Sequence, residues 1–273
     1  MTPIRSAVRF ARIVSKVTSL NLRARLEYRA EFLISVLTGA IWQTSTLVFA
    51  TVLLVRFPGV GGWSAPQVLL LASMRLTSHG LFVLLFGRVL SLSLITQEGW
   101  IETFLLRPIP VHRQVQLSSF SVNAIGDLLV SATLLTLAVY RFDLPWTPFR
   151  IGMMLAGLAG GCLVEAAIHT AISAAAFRYA STAHWNYWVE EITAIFGNYP
   201  LRILPGALEW LLTYILPLGF IAYIPAAVVT GNSGDVMAPH FLVTLFPLVG
   251  LMALIGARVL WNLSLRNYQG VSA

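Results

Sequence analysis

The sequence has little charge. Only 11% of its 273 residues are Asp, Glu, Lys or Arg, 57% are hydrophobic, and the mean hydropathy is +0.78. A soluble domain carries about a quarter of its residues charged, because its surface must be hydrated. The composition therefore excludes a soluble globular domain and indicates an integral membrane protein. The polar stretches between apolar runs are too short for a second, soluble domain.

Lysine, cysteine and catalytic motifs are scarce as well. Lys16 is the only lysine, so the chain has no phosphate-binding GxxxxGK[ST] loop. Cys162 is the only cysteine, which excludes an intrachain disulfide and a cysteine-based metal site. HExxH is absent and the five histidines are scattered. We predict a non-enzymatic chain with no cofactor of its own and no metal.

Basic residues concentrate before the first apolar run. Residues 1–31 hold seven basic residues and two acidic ones, Glu27 and Glu31, so they carry five of the seven net positive charges. If residues 4–31 form a helix, their basic residues fall on one face and their apolar residues on another. This pattern predicts an amphipathic interface helix over 1–31. The alternative is a disordered basic tail. Anionic lipid and membrane topology explain this charge better than nucleic acid does.

Six apolar runs are long enough to cross about 30 Å of hydrocarbon. They lie at about 32–55, 67–95, 117–140, 151–177, 208–229 and 240–262. The predicted fold is therefore all-α, with residues 32–273 forming one six-span domain. Placing the basic flanks inside puts both termini in the cytoplasm.

The stretch 178–229 allows two interpretations. In the first, 185–199 is an interface helix and 208–229 is span five. In the second, about 179–199 is a short span and 200–229 is a broken hairpin, because its four prolines would each interrupt a helix.

Three predicted spans carry polar residues four positions apart, on one helical face. The pairs are Arg75 and His79, Asn123 and Asp127, and Glu165 and His169. Charges in hydrocarbon are costly, so these side chains should face the bundle interior or water. Arg75 can reach Asp127 or Glu165. Either these residues fix the helix register as a buried ion pair, or they line a substrate route.

Small residues recur at four-residue spacing in the fourth predicted span. Gly152, Ala156 and Gly160 form the row, with Gly157 and Gly161 beside it. Such a row lets two helix backbones approach closely. It predicts close packing within the chain, with a dimer contact as the alternative.

A short amphipathic segment, TQEGWIETFLLRPIPVHRQ, joins spans two and three at residues 96–114. Glu98 and Glu102 share a helical face in this segment, and Pro108 ends the predicted short amphipathic helix, which is typical of a docking element. The segment resembles the G-x-hydrophobic-acid-x-x-L-L-x-P loop of ABC type-2 export permeases. Residues 196–225, FGNYPLRILPGALEWLLTYILPLGFIAYIP, are similar to the segment ahead of that family's last span.

The resemblance implies a permease subunit of a bacterial ABC exporter in the plasma (inner) membrane. It implies a dimer with an identical or sister permease, and cytosolic ATPase subunits that bind ATP and Mg. The substrate expected is an amphipathic compound, a drug, or a lipid-like or glycan molecule. The resemblance also favours the second interpretation of 178–229, in which residues 200–229 form a broken hairpin. The loop after span two would be the ATPase-coupling helix, formed by Glu98, Gly99, Ile101, Glu102, Leu105, Leu106, Arg107 and Pro108.

The intramembrane ionisable residues support a different class of protein. Glu165, His169 and Asp127 could relay protons in a proton-coupled secondary transporter. Such a carrier would work without ATP and fail without a proton gradient.

Overall fold

The computed structural model of the chain describes residues 15–17, 19–24, 26–56, 59–118, 121–179 and 182–268. Side chains are described there except for residues 46, 47, 49–56 and 183. The twelve helices we label are α1 Arg29–Arg56, α2 Ala65–Phe86, α3 Leu92–Gln97, α4 Trp100–Leu105, α5 Val111–Leu117, α6 Asn123–Arg141, α7 Pro148–Ala174, α8 Thr182–Phe196, α9 Gly206–Trp210, α10 Tyr223–Thr230, α11 His240–Thr244 and α12 Phe246–Arg266. The described chain is thus all-α, as predicted, apart from a two-residue hairpin of β1 Gly59–Val60 and β2 Trp63–Ser64.

Within the described residues, four helices are long and apolar enough to cross a membrane. They are Ala65–Gln97, Asn123–Arg141, Pro148–Phe177 and Phe246–Arg266. The first joins α2 to α3 through the 3-10 helix Gly87–Ser91, and the third extends α7 by the 3-10 helix Ala175–Phe177. All four overlap predicted spans. Helix α1 covers the first predicted span, and its 28 residues reach about 42 Å.

The described chain contains no continuous helix over 208–229, so the six predicted spans are not all confirmed. Helix α8 has 15 residues, about 22 Å, which is short for a full crossing. After it come the 3-10 helix Leu201–Ile203, α9, a π-helical turn at Leu211–Ile215, the 3-10 helix Leu218–Phe220 and α10. This backbone corresponds to the second interpretation, a short helix followed by a broken hairpin.

Proline explains where the hairpin breaks. Pro200 and Pro205 directly precede short helices, and Pro217 separates the π turn from the next 3-10 helix. Each lacks the N–H needed to continue a helix. Pro225 lies in the first turn of α10, where proline is tolerated. Helix α10 is buried along nearly its whole length, so protein covers the irregular backbone around it.

Glycines set two of the closest helix crossings. A β-carbon on Gly126 of α6 would lie 2.0 Å from the Val36 carbonyl oxygen of α1, and one on Gly39 would lie 2.2 Å from the Asn123 oxygen. On α7, a β-carbon on Gly161 would lie 2.2 Å from the Ile221 oxygen. Backbones this close leave no room for a side chain.

The small-residue row of α7 packs within the chain, as predicted. Gly157 faces Pro225 of α10, and Gly160 faces Pro247 of α12, whose Gly250 in turn approaches the Gly160 oxygen. Gly152 has nothing within 4 Å of its β-carbon position. Gly157 and Gly160 therefore allow α10 and α12 to pack closely against α7, whereas no helix packs against Gly152.

The predicted interface helix lies mostly outside the described residues. Residues 15–17, 19–24 and 26–27 are helical, and most of their side chains are exposed. Residues 1–14 are not described, so the amphipathic face over 4–31 stays a prediction.

Candidate functional sites

The loop between α3 and α6 is built around Gly99. This residue has a φ of 75°, a left-handed conformation that favours glycine. It separates α3, which ends at Gln97, from α4, which begins at Trp100. The interpretation that Glu98 and Glu102 share one helical face is therefore wrong, because the helix is interrupted between them. Both carboxylates are exposed.

Helix α4 is amphipathic, with an unusual distribution of apolar side chains. Ile101 is fully buried and Phe104 is 8% exposed. Three large apolar side chains instead face outward: Trp100 is 54%, Leu105 49% and Leu106 87% exposed. We call these three the apolar edge. Trp100 and Leu105 lie on α4 and Leu106 follows it directly. Exposed apolar side chains on a short segment between two spans are typical of a surface that a partner covers.

The buried side of α4 rests on a hydrophobic cluster that reaches several long helices. We call this group the α4 cluster. Its members are Val89, Leu92, Ile95, Ile101, Phe104, Val111, Val115, Ala174, Ala176, Phe177 and Trp261. They come from the 3-10 helix after α2, from α3, α4 and α5, from the end of α7 and from α12. A displacement of α4 would therefore act on the ends of three membrane-crossing segments, because packed interiors move as units.

Gln114 of α5 fixes the segment that follows α4. Its Nε2 donates to the Phe104 oxygen at 2.8 Å and to the Ile109 oxygen at 2.6 Å. The guanidinium of Arg107 lies 5.9 Å from the centre of the Phe104 ring. Arg107 and Pro108 are themselves exposed. The bonds of Gln114 therefore fix the backbone on both sides of Leu105 and Leu106. Gln114 was not identified from the sequence.

Glu102 interacts with the C-terminal end of the chain. Burial, and after it the negative charge of Glu102, raises the pKa of the Tyr268 hydroxyl. Tyr268 in turn contacts Phe177 of the α4 cluster, with ring centres 5.9 Å apart. A substitution of Glu102 would therefore change the electrostatic surroundings of Tyr268 as well as the surface.

A second group of polar side chains lies inside the bundle, where α2 meets α7. His79 Nδ1 lies 2.6 Å from Glu165 Oε1. Glu165 is 1% exposed and His79 19%. The pair is a hydrogen bond with neutral imidazole and an ion pair with protonated imidazole.

Arg75 lies one turn from His79 and is 4% exposed. Its charge interacts with Glu165 and with Glu190 of α8, while its Nε has no hydrogen-bond partner among the described residues. Glu165 therefore forms its close contact with His79 rather than with Arg75. Arg75 packs against Gly197, where a β-carbon would lie 3.4 Å from Arg75 Cγ.

His169 belongs to a hydrogen-bonded chain that ties α7 to α8 and to the 3-10 helix after α2. Its Nδ1 donates to Asn186 Oδ1 at 2.9 Å, and Asn186 Nδ2 donates to Ser173 Oγ at 2.9 Å. Ser173 Oγ donates to the Val89 oxygen at 3.0 Å. The imidazole of His169 stacks on Phe82 with ring centres 5.0 Å apart. Asn186 and Ser173 were not predicted, because single uncharged polar residues carry no sequence signal.

Asp127 and Asn123 lie apart from this pair, at the crossing of α1 and α6. A β-carbon on Gly39 would lie 3.1 Å from Asp127 Oδ1 and 2.2 Å from the Asn123 oxygen. Asp127 is 6% exposed and interacts electrostatically with His79. Of the six predicted intramembrane residues, the structure thus groups Arg75, His79, Glu165 and His169, with Asp127 linked through His79.

Residues 40–272 match the family model described as ABC-2 family transporter protein. The chain belongs to the ABC-2 transporter family. This confirms the family membership predicted from the sequence. Neither the curated proteins nor the solved structures gave a match to the chain.

The ABC-2 chain also has an apolar groove between α7 and α12. Its volume is about 330 Å³, and Ile215, Leu216 and Pro217 of the hairpin also line it. Small residues of α7 and α12 line it, among them Ala167, Ala171, Ala253 and Gly256. No group of three or more His, Cys, Asp or Glu suitable for a metal occurs in the described part of the chain.

Proposed function

We propose that this chain is the membrane permease subunit of an ABC exporter whose ATPase subunits are separate cytosolic chains. Membership of the ABC-2 family supports a transport function. The observation that carries the proposal is the apolar edge, in which Leu106 is 87% exposed. The buried side of α4 packs against the α4 cluster, which includes residues of three membrane-crossing segments. Residues 98–108 then act as the coupling helix. ATP and Mg bind to the partner subunits, since a chain with one lysine outside any GxxxxGK[ST] sequence has no P-loop.

The proposed orientation places the α4 end of the bundle and both termini in the cytoplasm of a bacterial cell. The basic residues of 1–31 and those flanking the spans support this orientation. A second permease, identical or related, completes the transporter. Closure of the ATPases would move α4, and the α4 cluster would transmit the movement to the spans as a rigid-body change.

The proposed substrate is amphipathic: a drug-like compound, or a lipid-like or glycan molecule. The apolar groove between α7 and α12 supports an apolar part of the substrate. Arg75, Glu165 and His169 are each almost fully enclosed by protein. We therefore assign them first to holding α2, α7 and α8 together, and a route past them would require the helices to separate.

One observation favours the alternative of a proton-coupled carrier. The short contact between His79 and Glu165, together with the interaction of His79 with Asp127, connects three titratable groups in the bundle interior. His169 instead donates to Asn186. Transport that continues without ATP but stops when the proton gradient is dissipated would favour the carrier.

The experiment that tests the proposal is the variant Leu106→Asp in the tagged chain, purified with its partners. We expect loss of the ATPase subunit and of the associated ATP hydrolysis, because a carboxylate would be desolvated in an apolar contact. Membrane insertion should be unchanged, because Leu106 is exposed. The matched control is Met237→Asp, which places the same charge on a 44% exposed side chain at the other end of the bundle. Equal recovery of the ATPase with Leu106→Asp and the control would refute the coupling assignment.

A further inference from the structure

Arg88 is a basic residue whose side chain contacts neutral groups. It lies in the 3-10 helix Gly87–Ser91, directly after α2. All eleven Asp and Glu residues of the sequence fall within the described ranges, and among the described residues none forms an ion pair with Arg88. Its side chain is half-buried, so the guanidinium is partly desolvated and still reachable from outside the protein. A cation in such a place is stabilised by an external anion.

Two serine hydroxyls hold the Arg88 guanidinium in place. Its Nε donates to Ser118 Oγ at 3.2 Å, and its Nη1 donates to Ser91 Oγ at 3.5 Å. Ser118 Oγ in turn donates to the Val115 oxygen at 2.8 Å, so the oxygen that accepts from Arg88 is itself fixed. A guanidinium has five N–H donors, and these two bonds leave the others for a ligand. They are enough for the bidentate contact that arginine makes with phosphate.

The lengths of two helices place Arg88 at the membrane surface. Helix α6 has 19 residues and is about 28 Å long, close to the thickness of the hydrocarbon layer. Its first residue, Asn123, therefore lies at a boundary of that layer, and Ser118 precedes it. The segment Ala65–Gln97 has 33 residues, about 50 Å, so one of its ends extends beyond the hydrocarbon. Because Arg88 bonds to Ser118, the guanidinium lies at the level of the lipid headgroups.

The side of α2 next to Arg88 faces outward. Leu85, three residues before Arg88 and therefore on the same side of the helix, is 56% exposed. On a helix that crosses a membrane, an exposed leucine faces lipid. A lipid whose acyl chain packs against Leu85 would bring its phosphate to the level of Arg88.

The basic N-terminal segment meets the bundle beside Ser118. Asn21 Nδ2 donates to the oxygen of Leu117, the residue directly before Ser118, at 3.1 Å. Residues 1–31 hold seven basic and two acidic residues, and such a segment attracts anionic lipid to the membrane surface around it. The local supply of anionic headgroups is therefore raised where Arg88 lies.

We propose that Arg88, held by Ser91 and Ser118, binds the phosphate group of an anionic membrane lipid whose acyl chain packs against Leu85. The lipid provides the counter-charge for Arg88. The proposal goes beyond the proposed function, since it requires only that α2 and α6 cross the membrane and not that α4 binds an ATPase.

The experiment counts lipid retained by the tagged chain, purified with its partners in mild detergent, by native mass spectrometry. The probes are phosphatidylglycerol and phosphatidylcholine with identical acyl chains, and we expect the unmodified chain to retain more phosphatidylglycerol. Retention of this lipid should fall at least about tenfold in Arg88→Gln and about threefold in Ser118→Ala, which releases the guanidinium. Arg266→Gln, which removes the same charge from an exposed position, should leave it unchanged.

Four results would overturn the proposal. The first is equal retention of phosphatidylglycerol by Arg88→Gln and Arg266→Gln. The second is equal retention of the two lipids by the unmodified chain. The third is inorganic phosphate bound in place of lipid to the unmodified chain and absent from Arg88→Gln, which would assign the site to a free anion. The fourth is loss of a co-purifying protein from Arg88→Gln with the lipid retained, which would assign Arg88 to an acidic partner side chain.

A second pair of variants keeps the test decisive if Arg88→Gln does not fold. Arg88→Lys retains the charge but loses the planar fork that contacts two phosphate oxygens. We expect Arg88→Lys and Ser118→Ala both to retain less phosphatidylglycerol than the unmodified chain. Unchanged retention in both would overturn the proposal.

Discussion

Gly126→Ala is expected to prevent the bundle from assembling correctly. The added β-carbon would lie 2.0 Å from the Val36 oxygen and 2.8 Å from the Ala40 nitrogen of α1. Both are backbone atoms, so no side-chain rotation can relieve the clash and the helices must separate. Overpacking typically costs 1–3 kcal/mol, and we expect at least about 3 kcal/mol here, because the crossing is also fixed from the other side by Gly39. The measurement is the recovery of monodisperse protein and its thermal transition in detergent.

Gly152→Ala is the matched control for this prediction. It makes the same change on another long helix, at a position with nothing within 4 Å. Alanine also has a higher helix propensity than glycine, by about 1 kcal/mol. The thermal transition of Gly152→Ala should therefore be unchanged or slightly higher. A Gly126→Ala protein that melts like this control would show that α1 and α6 do not cross as described.

Removing either partner of the His79 and Glu165 pair is expected to destabilise the protein strongly. Breaking a buried ion pair costs about 3–5 kcal/mol, because the remaining group has no partner. Glu165→Gln should cost more than His79→Phe, since Glu165 also interacts with the charge of Arg75. The double variant should be less destabilised than the sum of the single variants. Thermal transitions of the four proteins measure this coupling.

The same variants separate a structural role from a role in transport. If the pair holds the bundle together, His79→Phe should lower stability while the ATP hydrolysis per folded transporter stays within about twofold of the unmodified protein. Ser19→Ala, at an exposed position remote from the pair, is the control for effects of expression and purification on stability and ATP hydrolysis. A His79→Phe protein with unchanged stability but without ATP hydrolysis would contradict the structural assignment.

The spans were predictable from the sequence because hydropathy over about 20 residues reports directly on membrane burial. Apolar runs at 67–95, 117–140, 151–177 and 240–262 all correspond to long helices. The run at 208–229 is just as apolar, yet it forms a broken hairpin. Hydropathy records burial but not backbone continuity, and the prolines, together with the family resemblance, indicated the difference.

The candidate sites were predictable in part. The pattern of residues 98–108 indicated a docking element, but its left-handed turn at Gly99 separated the two glutamates that a continuous helix would have aligned. The pairing of His79 with Glu165 depends on how α2 and α7 are rotated, which spacing along one helix does not specify. Asn186 and Gln114 bond to residues of other elements, 17 and 10 positions away, and the turns between those elements decide whether the groups meet.

The most direct test of the coupling assignment is a photocrosslink from position 106. Cys162 is 3% exposed, so a maleimide carrying a benzophenone should label Leu106→Cys selectively. After illumination of the purified assembly, we expect a covalent adduct between this chain and the ATPase subunit, with a yield that changes when ATP is added. Met237→Cys, labelled in the same way, should give no such adduct. An adduct yield from position 106 no higher than that from position 237 would contradict the assignment of residues 98–108 as the element that couples this permease to its ATPase.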